Sequence, residues 1–286
     1  MTPTPVFDQV CGPAVLGASF ERRLPAPGLW MPGVHMDAVR RRPARHLLAL
    51  RDDLAAGTYR PSPGRSFDVA KADGSTRRLV AFCSRDVVVQ QACQTVLRPL
   101  AERWFLDCSY GFRPGLSVAM ACARVREWVR EGYHWLLDAD IERCFDAVGH
   151  RHALAILSAL CADSRVVGLV RAWLNPEGLD SVPNGLPQGM VLSPLLCNLV
   201  LHRLDLAMQR IGIPMVRYAD DFVCFARRRE DAHIAWARAA QCLSLSGLAL
   251  HPAKTRVVEC NRRLRFLGQP LPRLAIARRW AAHPPL

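Results

Sequence analysis

Met215-Val216-Arg217-Tyr218-Ala219-Asp220-Asp221-Phe222-Val223-Cys224-Phe225-Ala226 is the stretch that decides the fold. Residues 215–218 and 222–226 are rich in β-branched and aromatic side chains around a short polar break. They predict two strands joined by a tight turn over Ala219-Asp220-Asp221. A second apolar run, His134-Trp135-Leu136-Leu137, ends in Asp138-Ala139-Asp140-Ile141. It reads as a strand buried under helices, with Asp140 at its exit. A hairpin tip beside that strand end brings three carboxylates together. Taken alone, an Asp-Asp turn is ordinary, because Asp favours turns through local hydrogen bonds; the rest of the chain must decide.

Working outward, residues 1–40 are rich in Pro and Gly and predict an irregular arm with a short helix. Residues 44–56 have amphipathic helical spacing stopped by Gly57, and strands over 66–71 and 77–82 flank Asp73-Gly74, a hairpin signal. Helical spacing recurs over 85–106, 116–130, 150–161, 164–174, 193–211 and 230–246, with Pro194 tolerated in a first turn. Short strands are expected over 248–250, 256–260 and 264–267. No internal repeat is visible.

The 286 residues are 50% hydrophobic, enough for a sizeable core in one unit or two closely joined subdomains. Basic residues outnumber acidic ones to give a net charge of +13, which favours a polyanionic partner held through its phosphates. Eleven cysteines are scattered without zinc-type spacing and read as reduced thiols, many of them in the core. With no secretory signal and no apolar run long enough to span a bilayer, a cytoplasmic protein without membrane attachment is expected. Only two of the 38 basic residues are lysine, Lys71 and Lys254. In so arginine-rich a chain, retained lysines suggest sites needing a compact ammonium or a proton that can be released.

Several segments, in order, carry a resemblance. They are Lys71-Ala72-Asp73-Gly74-Ser75-Thr76-Arg77, Ser109-Tyr110-Gly111-Phe112-Arg113-Pro114-Gly115, Asp138-Ala139-Asp140-Ile141, Gly185-Leu186-Pro187-Gln188-Gly189, Arg217-Tyr218-Ala219-Asp220-Asp221-Phe222, and Phe266-Leu267-Gly268. From Gly57 onward the chain resembles prokaryotic reverse transcriptases of the group II intron and CRISPR-associated lineage. The resemblance implies an α/β (α+β) right-hand polymerase with fingers and palm and a thumb that is absent or much reduced. The expected division is an N-terminal arm over 1–40, fingers over 41–132, palm over 133–268 with inserted helices across 150–190, and a short tail over 269–286.

Joining a nucleoside triphosphate to a primer 3′-hydroxyl calls for two divalent metals, and hard Mg²⁺ wants carboxylate oxygens. By the resemblance, Asp140 with the Ile141 carbonyl and Asp220 hold two Mg²⁺, for which Mn²⁺ can substitute; Asp221 is a supporting ligand and Lys254 protonates the leaving pyrophosphate. Phe145 would lie beneath the incoming sugar and exclude a 2′-hydroxyl, or else is an aromatic packing residue. Lys71 and Arg77, on opposite arms of the fingers hairpin, would fold over the triphosphate, or else are solvated strand-end charges. Gln188 and Gly189 would meet nucleotide and template, with Arg65 and Arg78 as weaker template or triphosphate contacts. Phe266-Leu267-Gly268 would hold the primer end, a small core strand being the plainer reading. Asp146 could instead be the second acid of an RNA-dependent RNA polymerase, although the Leu-Pro-Gln-Gly segment looks like the reverse transcriptase version. Ala81-Phe82 and Met190 depart from the family pattern.

The expectation is therefore an RNA-directed DNA polymerase using an RNA template, a DNA or RNA primer and deoxynucleoside triphosphates. A CRISPR-associated or defence-linked type is preferred over a group II intron-type enzyme, and a protein or structured-RNA partner, such as CRISPR spacer-integration machinery, would supply the thumb function. The rival class is a polymerase-like nucleic-acid-binding subunit of a larger assembly. Clustered acids that repel phosphate unless metals bridge them speak against a pure binder.

Overall fold

Trp135–Asp140 pairs on both sides, and this accounts for its nearly continuous apolar sequence: Leu136, Leu137 and Ala139 are buried. The computed structural model describes residues 4–70, 74, 76–175, 185–260 and 265–270. The chain divides into two units by its internal contacts. One comprises Met1–Asp107, Ile141–Leu206 and Gln241–Ala249; the other comprises Cys108–Asp140, Ala207–Ala240 and Leu250–Leu286.

The second unit holds a four-stranded antiparallel sheet. Its order is Met215–Tyr218, Asp221–Ala226, Trp135–Asp140, Arg256–Glu259. The helix Val118–Arg130 supplies one cover: Ser117 caps it by accepting from the Met120 amide at 3.2 Å, and Ala121, Cys122, Val125 and Val129 form its buried stripe. That stripe shares a core cluster with Leu136, Val216, Val223 and Phe225.

The first unit is mostly helical. The long helix Ser84–Glu102 buries Val88, Val89, Ala92, Cys93 and Leu97, and the helices Val6–Val10 and Pro13–Arg23 pack against it. The N-terminal 40 residues are thus not an irregular arm. Phe7, Val10, Leu16, Phe20, Trp30, Met36 and Val39 are all buried, and Phe20 and Trp30 meet edge to face at 5.3 Å. The prolines misled because Pro13 stands at a first helical turn, where a missing N–H costs nothing and the fixed φ helps the helix begin. The expected strand over 248–250 is also absent: the chain there is loop, with one bridge residue at Leu250. The helices His150–Cys161 and Ser164–Leu174 lie where the spacing placed them, and the hairpin Arg65–Ala70 with Thr76–Ala81 forms in the register Val69↔Arg77 and Asp68↔Arg78.

Among the described residues no helix is long and apolar enough to cross a membrane. None of the eleven cysteines is joined in a disulfide, and six of them besides Cys93 are buried: Cys122, Cys144, Cys161, Cys197, Cys224 and Cys260.

Candidate active site

In the sheet register Asp140 stands directly opposite Asp221, the last pair of the ladder between Trp135–Asp140 and Asp221–Ala226. On its other side the ladder ends earlier, at Asp138↔Arg256. Asp140 therefore sits at the strand exit, as the apolar run predicts. Tyr218 pairs with Asp221, so the hairpin turn is the two residues Ala219 and Asp220, one residue shorter than the sequence suggested. Ala219 adopts a φ of 59°, which such two-residue turns require and which is unusual for a residue with a Cβ.

The cations of the neighbouring segment complete the electrostatics. Lys254 Nζ donates to Asp140 Oδ2 at 2.5 Å. Arg256 grips Asp138 through Nε and Nη2, both bonded to Oδ2 at 3.1 and 3.0 Å. Two ion pairs thus stand one pleat apart along the strand. The Asp140 hydrogen bond raises the Lys254 pKa, so the ammonium keeps its proton firmly. Burial pushes Asp138 up, and Arg256 works against that. Asp221 is pushed up to about 6, first by desolvation of its carboxyl and then by the negative charges of Asp220 and Asp140. The residue as a whole is exposed, so solvent tempers the first of these causes and the neighbouring charges carry more of the effect.

This donor set fits a divalent ion. The oxygens are hard, and their mutual repulsion is what a cation relieves; Asp140 already holds one positive charge, the Lys254 ammonium. Among the described residues no three His, Cys, Asp or Glu side chains converge into a closed metal cluster. The fit is therefore one of donor type, charge and register.

Sequence reasoning missed what holds the turn. Arg217, fully buried, donates from Nη1 to the Ala219 carbonyl at 2.9 Å and from Nη2 to Ser109 Oγ at 2.8 Å. Backbone bonds from the Arg217 amide to the Cys108 carbonyl (2.7 Å) and from the Tyr110 amide to the Arg217 carbonyl (2.8 Å) lay the 108–110 segment along the strand. Gly111 follows, and a Cβ there would meet the Ala219 nitrogen at 2.4 Å. The available signal was an arginine inside an otherwise apolar strand.

Within the first unit, the 185–189 loop is tied to Phe145 and to the Thr76–Ala81 strand. Phe145, half-buried in the short helix Cys144–Ala147, accepts from the Leu186 amide at 2.6 Å through its carbonyl. Gln188 Nε2 donates to Asp146 Oδ1 at 3.1 Å, giving Asp146 a role as anchor of that side chain. The Gln188 carbonyl accepts from the Val80 amide at 2.7 Å, tying the loop to the Thr76–Ala81 strand. Gly189 has φ +121°, and a Cβ on it would lie 2.2 Å from the Val80 carbonyl oxygen, so only glycine fits. Arg77 is exposed on that strand, Arg78 bonds Ser66 Oγ at 3.0 Å, and Arg65 pairs with Ala81. Lys71 lies outside the described residues. Ile141 is buried directly after Asp140 in sequence, and a cavity of about 280 Å³ opens beside Glu142, Arg143, Asp146 and Ala249.

Phe266, Leu267 and Gly268 form a small hairpin, Arg265–Phe266 with Gln269–Pro270, whose turn residues Leu267 and Gly268 have φ of 50° and 76°. The Phe266 side chain is buried in the core cluster of the second unit.

A family model for reverse transcriptase (RNA-dependent DNA polymerase) matches residues 69–271, across both the acidic hairpin and the 185–189 loop. The chain belongs to the reverse transcriptase family. The uncharacterized 91 kDa protein in the cob intron of Schizosaccharomyces pombe is 33% identical over 186 residues, 63% of this chain and 23% of that protein. The group II intron-encoded protein LtrA of Lactococcus lactis subsp. cremoris is 32% identical over 160 residues, 53% of this chain and 26% of that protein. The chain thus spans about a quarter of the length of these two relatives. Among solved structures, telomerase from Candida tropicalis in complex with a TWJ fragment of telomeric RNA matches with a TM-score of 0.56 at 12% identity, over 72% of this chain and 43% of that one, a likeness of fold alone. The right-hand polymerase fold implied by the sequence is therefore the fold found. A thumb is a matter of residues beyond Pro270, outside those described.

Proposed function

We propose that this reverse transcriptase family member is an RNA-directed DNA polymerase that adds deoxynucleotides to a primer annealed to an RNA template. The observation that carries the reading is the pairing of Asp140 with Asp221 at the end of one ladder, with Asp220 in the adjoining turn. In the reaction the primer 3′-oxygen loses its proton and bonds to the α-phosphorus, while the bond from that phosphorus to pyrophosphate breaks. Two Mg²⁺ held by Asp140, Asp220, the Ile141 carbonyl and, more weakly, Asp221 would supply charge stabilisation to attacking and leaving oxygens.

The chain's own residues divide the remaining work. Lys254, an ammonium beside Asp140, gives a proton to the departing pyrophosphate in this reading. Lys71 and Arg77 bind the triphosphate, the first as a point charge and the second as a fork. Phe145 sits beneath the sugar and excludes a 2′-hydroxyl. Gln188, fixed by Asp146, and Gly189 meet the nucleotide and template, with Arg65 and Arg78 contacting template or triphosphate. The Phe266-Leu267-Gly268 turn holds the primer end, with Phe266 anchored in the core. The net charge of +13 supports a nucleic-acid partner. The test is single-nucleotide addition: the deoxynucleotide complementary to the template base should be added with release of one pyrophosphate. Binding of primer and template without any such addition would leave only the binding-subunit reading.

A further inference from the structure

We infer that Arg217 is a positioning residue for the catalytic turn, acting through the Ala219 carbonyl together with Ser109 and Gly111. This inference rests on the polymerase reading for its catalytic consequence. The geometry comes first. Ala219 carries a positive φ that an L-residue with a Cβ resists, and it immediately precedes Asp220 and Asp221. Something must hold it there. The Arg217 guanidinium does so from inside the protein: one arm bonds the Ala219 carbonyl and the other bonds Ser109 Oγ.

The second anchor is the close approach of Gly111. Its bare Cα allows the 108–111 segment to lie against the Ala219 amide, at a distance no side chain permits. The Ser109–Arg217 parallel bridge and the two backbone bonds at 2.7 and 2.8 Å fix that segment beside the strand, so hydroxyl and glycine arrive together. Arginine is the residue this arrangement demands. A rigid fork satisfies a carbonyl and a hydroxyl at once, whereas a lysine has one compact ammonium and reaches one of them well. Arg217 is fully buried, and its effect is on where two carboxylates stand.

A double-mutant cycle with Ala219→Gly tests this, because glycine adopts the positive φ without restraint. Full-length parent, Arg217→Lys, Ser109→Ala, Ala219→Gly and the Arg217→Lys/Ala219→Gly pair are compared in steady-state primer extension and in Mn²⁺ affinity measured by electron paramagnetic resonance. Displacement of reacting groups by about an ångström costs roughly 100-fold in rate, so Arg217→Lys should lower kcat by about that factor with little change in KM for the nucleotide. It should also weaken Mn²⁺ binding, and both losses should shrink to about tenfold or less in the Ala219→Gly background. Ser109→Ala, which removes one buried hydroxyl and keeps the Arg217 bond to the Ala219 carbonyl, should show the same pattern more mildly and carries the test if Arg217→Lys does not fold. Equal losses in both backgrounds, or a loss confined to KM, overturn the inference. A parent chain that adds no nucleotide overturns the polymerase reading instead, and the Mn²⁺ series still decides the positioning role.

Discussion

Lys254 Nζ lies 2.5 Å from Asp140 Oδ2, and the two residues are 114 positions apart in the chain. The bond puts the one described lysine against the acid at the strand exit. Its ammonium offsets part of the repulsion among Asp140, Asp220 and Asp221, and the same bond strengthens its hold on a proton. That combination suits a residue that must stay charged until a more basic oxygen appears beside it.

Lys254→Arg should therefore slow the chemical step by roughly 100-fold while leaving nucleotide affinity nearly intact, because guanidinium keeps the charge but does not give up its proton. Single-turnover rates across nucleotide concentrations separate the two. Equal rates for lysine and arginine would reduce Lys254 to a counter-charge for Asp140.

Asp221 sets a pH dependence of stability. With a pKa raised from 3.8 to about 6, its contribution to folding is complete below 3.8 and is lost as pH rises through about 6. Without divalent metal, Asp221→Asn should thus melt higher than the parent at neutral pH, and the difference should vanish in acid. The gain is small, since the residue is exposed. Thermal melts at several pH values, repeated with Mg²⁺, check this; an Asn variant that melts lower at neutral pH in chelator contradicts it.

Phe145→Ala should raise the ratio of ribonucleotide to deoxynucleotide incorporation by at least about tenfold, since an emptied ring removes the clash with a 2′-hydroxyl. Competition between the two triphosphates on one primer gives the ratio directly. An unchanged ratio would make the half-buried ring a packing residue alone.

Affinity for primer–template should fall linearly on a log–log plot against salt, with a slope of about −0.9 for each phosphate neutralised. The charge of +13 is carried almost wholly by arginine, so several phosphates should be involved. Fluorescence anisotropy over a salt series measures the slope, and a flat line would exclude a phosphate-dominated interface.

Much of this architecture was legible because local patterns and tertiary demands agree. Helical spacing placed His150–Cys161 and Ser164–Leu174, and an apolar run ending in acid placed Asp140 at the end of its strand. The relationships that were not legible depend on contacts between segments far apart in sequence. Nothing local says that Arg217 will bond Ser109, that Arg256 will neutralise Asp138, or that Gln188 will be held by Asp146. The first 40 residues failed for another reason: their prolines and glycines mark helix starts and turns, while sparse large side chains such as Phe20 and Trp30 do the packing.

The most direct test of the central claim is extension of a labelled primer on an RNA template with deoxynucleotides and Mg²⁺, run beside Asp140→Asn and Asp220→Asn variants confirmed as folded by their melting curves. The account predicts templated DNA synthesis by the parent and a loss of roughly 1000-fold or more in each variant, because each substitution removes a charge that the metals require. Synthesis by either variant at the parent's rate would contradict it.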